Sequence, residues 1–466
     1  MKTITNKDKF GEVFTPPKLA QEMRDLLFHD ETREKINNMQ LCKIFEPGSG
    51  QGIFFDIFQN QNNSFPTNFH YTMNEINPQH LECLQQVSKK YNNSHVEIII
   101  DDLFNIQFEN NKESYDLVLG NLPFTTNSKK FVPGISNKTI SGQPKHKTKM
   151  NTSLINDIPS KSITLWTLMT HYCFQHIIKP GGLFFCIIPC IWLKPDKSGI
   201  YDLFTKQNTI LYLKIYDCAS ANKIFKYNCQ TPICYVLIQK KLPIITHIFN
   251  DSTCCNFKLY NNINHEFIDF QLNYNKCIPT NHVNHFIQHN QYFNYLYQKN
   301  NHKISTMHNH IIKISSLKPC IMDNKIRDVS SGKLIDEKCN ENEYKIITGA
   351  NFANNKLELN GFVCGVPGLY CKNKKVILPH KRLPKFYKDY NGTYGLMGRD
   401  MYVFLCDNDA MVDKLYDFFN LPNIQEMICS GFRVRMNFIE KYVFEYIPYI
   451  FDDSFCIEDY KQFMGL

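Results

Sequence analysis

At residues 43–55 the chain reads KIFEPGSGQGIFF, a short apolar strand that runs into three glycines at alternate positions and out into an apolar, helix-like run. Gly48, Gly50 and Gly52 let the backbone turn tightly and approach a ligand closely. A loop of this kind between strand and helix belongs at the carboxyl end of a strand in an open α/β sheet, where that architecture binds its cofactors. A glycine loop alone is also ordinary punctuation, so its meaning depends on the strands that follow.

Those strands come in a regular order. Apolar runs at residues 43–45, 70–73, 96–100, 116–119, 183–188, 211–216 and 234–239 alternate with amphipathic stretches, the pattern of parallel strands joined by crossover helices. PQHLECLQQVSKKY predicts a helix with Pro78 in its first turn. PPKLAQEMRDLL predicts another behind Thr15 as cap, with Leu19, Met23, Leu26 and Leu27 on one face. The strand ends carry polar groups in succession. The second ends in NEINP, with Glu75 about the right distance onward for ribose hydroxyls. The third ends in Asp101-Asp102, either of which can also cap a turn. The fourth, YDLVLG, ends in Asn121-Leu122-Pro123-Phe124.

In this order the motifs resemble the S-adenosylmethionine-dependent N6-adenine DNA methyltransferases of restriction–modification type, gamma class. That family has a threonine-proline segment first (here VFTPPKLAQEM), then an acidic-proline glycine loop (FEPGSGQGIFF), an acidic strand end (Glu75), an aspartate on the cofactor's adenine (Asp102) and a catalytic tetrapeptide (NLPF). The resemblance implies an α/β fold: a Rossmann-like methyltransferase domain with a mostly parallel seven-stranded sheet, plus a C-terminal α+β target recognition domain. It implies S-adenosyl-L-methionine as cofactor, held by Thr15, Pro16, Glu46, Pro47, Gly48, Gly50, Gly52, Glu75, Ile76, Asp102, Leu103 and Asn121. It implies catalysis by Asn121, Leu122, Pro123 and Phe124 on a flipped-out adenine of double-stranded DNA.

The tetrapeptide makes chemical sense for that task. The exocyclic amine of adenine is a poor nucleophile because its lone pair is delocalised into the ring. The amide oxygen of Asn121 and the backbone carbonyl of Leu122 can accept its hydrogens and free the lone pair, by positioning and electrostatics alone. Phe124 offers a face for stacking an extruded base, and Pro123 stiffens the turn. The family usually has proline where this chain has Leu122. Asn-Leu-Pro-Phe also resembles the tetrapeptide of ribosomal RNA adenine dimethyltransferases, so RNA is the alternative substrate. Protein-glutamine methylation and a catalytically dead DNA-binding module are the remaining ones. Pro189-Cys190, which resembles the nucleophile pair of cytosine-C5 methyltransferases, lies in an apolar run and reads as core.

The length of 466 residues accommodates two or three domains. We expect a catalytic domain over 1–240, a connector with partial helix over 241–330 and a DNA-reading domain over 331–466. The last contains CKNKKVILPHKRLPKFYK and GFRVR, in which Lys372, Lys374, Lys375, Lys381, Arg382, Lys385, Lys388, Arg433 and Arg435 stand among aromatics. Lys381, Arg382, Arg433 and Arg435 are the candidate nucleic-acid contacts, since basic and aromatic residues together suit phosphate and base. A solvated basic face reads equally well. The lysine-rich stretch at 129–149 has the same two readings. The net charge of +8 agrees with a polyanionic partner without requiring one. None of the 18 cysteines forms a Cys-x-x-Cys pair, so we expect no metal and an intracellular, reducing compartment. The longest apolar run, 181–193, is too short to span a bilayer, so no membrane partner is expected. Oligomeric state is left open.

Overall fold

The computed structural model describes residues 13–29, 34, 42–59, 69–91, 95–106, 113–124, 164–226, 231–242, 254–300, 304–314, 344–353, 356–364, 368–379, 386–396, 401–434 and 439–466. The chain forms two compact units, one of Met1–Tyr260 with Glu266–Asn275, the other of Asn261–His265 with Lys276–Leu466.

The first unit is built on one sheet. Its strands are β1 (Cys42–Pro47), β2 (Phe69–Glu75), β3 (Val96–Ile100), β4 (Tyr115–Asn121), β5 (Ile178–Pro189), β6 (Thr209–Tyr216), β7 (Ile233–Gln239), β8 (Cys254–Asn261) and β9 (Glu266–Asn273), in the order 3-2-1-4-5-7-6-8-9. Strands β3, β2, β1, β4 and β5 run parallel, and β7 is antiparallel to both β5 and β6. This is a Rossmann-like, mostly parallel sheet. All seven runs expected from the sequence lie within β1–β7. The count differs: the sheet has nine strands, not seven, because β8 joins β6 in parallel and β9 follows it. Both added strands sit at an edge with one face buried (Phe257, Leu259, Phe270, Leu272) and polar residues between, so their apolar content is too low to stand out. They also carry the sheet beyond residue 240.

Helices α1 (Pro17–Leu27), α2 (Ile53–Gln59) and α3 (Leu81–Lys90) pack on this sheet, and α4 (Leu165–Tyr172) and α5 (Cys218–Phe225) complete the unit. Met23 and Leu27 of α1, Phe54, Phe55 and Phe58 of α2, and Tyr71, Leu117 and Leu119 of the sheet share one core cluster. Each such side chain contributes about 1.5–3 kcal/mol on full burial. Helix α1 begins differently from expectation. Its N-cap is Pro16, with no side-chain cap, and Thr15 is buried elsewhere. Strand β1 lies between β2 and β4, where the strand order reverses, and its carboxyl end opens the crevice in which such sheets bind ligands.

The second unit is α+β. It contains an antiparallel sheet of β10 (Ile312–Lys313), β16 (Met401–Leu405), β13 (Lys375–Pro379) and β14 (Tyr387–Asp389), and a three-stranded sheet of β12 (Lys356–Cys364), β11 (Tyr344–Ala353) and β15 (Tyr394–Leu396). Its helices include α6 (Val283–Asn300), α7 (Asp409–Phe419), α8 (Pro422–Glu426) and α9 (Ile457–Met464). Helix α6 has 18 residues and lies within the stretch expected to be a connector with partial helix. Its buried stripe includes His289 and Asn290 beside Phe286, Tyr292 and Leu296, which breaks the apolar period in sequence. His289 pairs through Nδ1 with the Tyr446 carbonyl at 2.8 Å and through Nε2 with the Tyr460 hydroxyl at 3.1 Å. Burial pushes its pKa down to about 3, so it is a neutral core histidine.

Candidate active site

The crevice at the carboxyl end of β1 is a cavity of about 410 Å³, lined among others by Phe14, Thr15, Pro16, Glu46, Gly48, Gly50, Ile53 and Asn121. Three segments distant in sequence therefore meet: the Thr-Pro segment, the glycine loop and the end of β4. The loop is shaped by its glycines, with φ of +70°, +56° and +77° at Gly48, Gly50 and Gly52. Non-glycine residues rarely adopt this left-handed region. Backbone bonds from Gly48 and Ser49 to the Asn74 carbonyl, at 2.8 and 2.9 Å, fix the turn against β2.

Glu75 locks the same loop. It is buried at the end of β2, and its Oε2 accepts the Gly50 N–H at 2.7 Å while Oε1 accepts that of Asn77 at 2.8 Å. Each oxygen keeps a further lone pair for a ligand hydroxyl. Glu46 lies beneath the loop, 1% exposed, with the Tyr71 hydroxyl donating to its Oε2 at 2.6 Å. Burial raises its pKa to about 8 against the lowering effect of that hydrogen bond. Pro47 is buried and Ile76 half-buried beside these acids. Tyr71 carries no signal in the sequence beyond its place in a strand.

Just after β3, Asp102 and Asp101 divide the work that the sequence leaves undecided. Exposed Asp101 accepts the Asp102 N–H at 2.7 Å and an Asn105 Nδ2–H at 3.1 Å through Oδ1. Asp102 is buried, caps the turn that starts at buried Leu103 by accepting the Phe104 N–H at 3.1 Å, and keeps Oδ2 without a partner among the described residues. Burial raises its pKa. A buried carboxylate oxygen with no donor is an acceptor waiting for one.

The end of β4 shows the same feature. Asn121 donates through Nδ2 to the Val13 carbonyl at 3.0 Å. A carbonyl only accepts, so the nitrogen must face Val13, and this leaves Oδ1 pointing away. That oxygen is buried and has no partner among the described residues. Sequence reasoning misses Val13 because its role belongs to its backbone. Leu122 is buried at 1% exposure, and its N–H donates to the Ile187 carbonyl at 3.3 Å. Pro123 and Phe124 are half-buried, and Phe124 packs against the edge of the core. Cys190 is fully buried with its pKa pushed well up, which makes it an inert core thiol.

The basic residues of the second unit are differently placed. Lys381, Arg382 and Arg435, like Lys385 and the 129–149 stretch, lie outside the described residues. Arg433 is half-buried and donates from Nε and Nη2 to the Cys429 carbonyl at 3.1 and 2.8 Å. Lys375 is fully buried against Asp389 at 2.6 Å, Lys374 pairs with Asp409 at 2.7 Å and Lys388 with Asp413 at 2.5 Å. Lys372 is exposed. Among the described residues, no helix is long and apolar enough to cross a membrane.

No protein-family description matches the chain, and no curated protein matches it. Solved structures match along about half of it. One is described as a class I S-adenosylmethionine-dependent methyltransferase from Listeria monocytogenes, at 11% identity and TM-score 0.37 over 55% of this chain and 68% of that one. Another is a type I restriction-modification methyltransferase subunit from Streptococcus thermophilus, at 17% identity and TM-score 0.38 over 55% of this chain and 48% of that one. A third is described as an RNA methyltransferase from Pyrococcus horikoshii, at 11% identity and TM-score 0.30 over 50% of this chain and 88% of that one. Likenesses of this size carry no inference about chemistry, which rests on the geometry of the crevice.

Proposed function

We propose that the chain transfers a methyl group from S-adenosylmethionine to the N6 amine of an adenine in DNA. The observation that carries the reading is the side chain of Asn121. Its nitrogen is held by Val13, so its oxygen is a buried acceptor with no partner among the described residues, on a residue that lines a glycine-lined cavity.

The donor set fits the cofactor. Backbone at positive φ gives close approach at Gly48 and Gly50, Glu75 retains acceptor capacity for ribose hydroxyls, and Asp102 Oδ2 needs a donor such as an adenine amine. Thr15, Pro16 and Glu46 would line the methionine end. The chemistry that bound S-adenosylmethionine supplies is an electrophilic methyl on sulfur. The chain's own contribution is to the acceptor. Asn121 Oδ1 takes one amine hydrogen and the Leu122 carbonyl the other, which directs the nitrogen lone pair toward the cavity. Pro123 fixes φ and so stiffens the turn that presents that carbonyl, and the exposed part of Phe124 gives the base a face. The second unit, with Lys381, Arg382 and Arg435, is proposed as the DNA reader.

RNA is the second reading, favoured by Leu122 in the tetrapeptide. Labelled S-adenosylmethionine, supplied with duplex DNA, RNA or protein and followed by nucleoside analysis, tests both. N6-methyladenine in DNA is the expected product. Label in RNA or in glutamine alone would overturn the DNA assignment.

A further inference from the structure

The second unit contains a polar cluster that the proposed reaction does not use. His282 precedes helix α6, His285 lies in its first turn, and Glu426 ends α8. His285 Nε2 lies 2.8 Å and His282 Nδ1 3.4 Å from the same Glu426 oxygen, and one ligand atom from each residue falls within 4.8 Å of the others. The two rings are stacked within 6° of parallel, with centroids 5.8 Å apart. We propose that His282, His285 and Glu426 form a binding site for a divalent transition-metal ion of the zinc type, which clips the start of α6 to the end of α8.

The His285 N–H donates to the His282 carbonyl at 3.0 Å, which holds the two residues on one turn with their rings stacked. His282 reaches this position with φ of +51°, a conformation uncommon outside glycine and held only where surroundings enforce it. Neighbouring backbone bonds supply that enforcement. The Gly431 carbonyl accepts the N–H groups of Thr280 and Asn281 at 2.8 and 3.1 Å, and the Arg433 N–H donates to Thr280 Oγ1 at 2.8 Å. The two ligand-bearing segments are therefore clamped together without an ion, and little ordering remains for binding to require.

Two imidazoles and one carboxylate suit zinc, nickel, cobalt or copper, whereas magnesium and calcium prefer all-oxygen sites. Tetrahedral ligands at about 2.0–2.1 Å from a metal stand about 3.3–3.4 Å apart. The His282 separation has that size already. The His285 separation must open by about half an ångström, which the exposed carboxylate of Glu426 allows. Two features limit affinity. The charge of Arg433 is felt at His282, and His285 Nδ1 has no partner among the described residues to act as the outer acceptor that usually steadies a ligating ring. The sequence expectation of no metal rests on missing Cys-x-x-Cys pairs, a signal that cannot report a site of two histidines and a glutamate.

Full-length, metal-stripped protein titrated with cobalt(II) alone tests the proposal. The expected result is one equivalent with the visible bands of a tetrahedral nitrogen–oxygen site, free of thiolate charge transfer and displaced by zinc. Glu426→Gln and His285→Asn should each weaken that equivalent by more than about tenfold, with circular dichroism confirming that the variants fold. Zinc should raise the unfolding temperature of the wild type more than that of either variant. Equal cobalt affinity in wild type and folded variants, or no binding by the wild type, overturns the site.

Discussion

The end of β4 and the basic stretch of the second unit are both conspicuous in sequence, and the structure treats their polar groups in opposite ways. At β4 the Asn121 amide uses its donor internally and leaves its acceptor, in a buried position, unpaired among the described residues. In the basic stretch the prominent charges find partners inside their own unit: Lys374 with Asp409, Lys375 with Asp389, Lys388 with Asp413. A buried unpaired acceptor costs stability and persists where a ligand can satisfy it. A paired lysine has already used its charge. Functional candidates are thus better recognised by what is left unsatisfied than by what is abundant.

The strongest test of this contrast is Lys375→Ala. If the residue is structural, removing it leaves Asp389 buried with, among the described residues, the backbone N–H groups of Thr393 and Tyr394 as its remaining donors. Breaking a buried pair costs about 3–5 kcal/mol, and those two donors place the expected loss near about 3. Denaturant unfolding measures it. A variant as stable as the wild type would mean that Lys375 is not bound into the fold. Next comes Asn121→Ala, expected to lower methyl transfer by about 10²–10³-fold, the usual effect of removing one stabilising group. Single-turnover rates at saturating cofactor check this, and calorimetry should find cofactor affinity reduced far less than the rate, since Asn121 is one of several residues lining the cavity. Full turnover in the variant removes Asn121 from the chemistry.

Leu122→Pro probes the same strand end from the fold side. Only the carbonyl of Leu122 has a proposed role, and by that logic proline, usual in the resembling family, would be harmless. The structure gives the opposite expectation. The N–H bonded to Ile187 is removed, and so is a side chain 1% exposed, together about 2–3 kcal/mol. Thermal unfolding of the variant at unchanged stability would show that the strand end adapts. Gly50→Val is smaller in energy, about 1–2 kcal/mol for the left-handed backbone, yet it falls on the loop that Glu75 holds. We expect roughly tenfold weaker S-adenosylmethionine binding, read by calorimetry.

Much of the first unit is legible in the sequence because strands and their ends repeat a rule. Apolar runs announce β1–β7, and Gly48, Gly50, Glu75, Asp102 and Asn121 stand where strands stop. What stays hidden is set by backbone and by partners. The Val13 carbonyl has no side-chain signature, and Thr15 reads as a helix cap although Pro16 takes that place. Strands β8 and β9, the last two of the sheet, alternate too many polar residues to be recognised. Helix α6 hides its buried stripe behind His289 and Asn290, both of which require tertiary partners that no local pattern foretells.

The least disruptive test separates the two readings of the basic stretch. Lys374 and Lys388 are partly exposed but paired, whereas Lys381 and Arg382 are assigned to DNA by sequence alone. Removing one cation that neutralises a phosphate should reduce the slope of log affinity against log salt by about 1. If paired lysines are already committed, Lys374→Gln with Lys388→Gln should leave that slope unchanged, since a neighbouring carboxylate compensates each charge before DNA arrives. Lys381→Gln with Arg382→Gln should lower it by about 2 if both touch phosphate. Cofactor affinity should be the same in all, because the glycine loop belongs to the other unit. Binding of duplex DNA across a salt series, by fluorescence anisotropy, reads the slope directly. An equal fall in both double variants would mean that the internal pairs open on binding, and the distinction between committed and available charge would then fail for this surface.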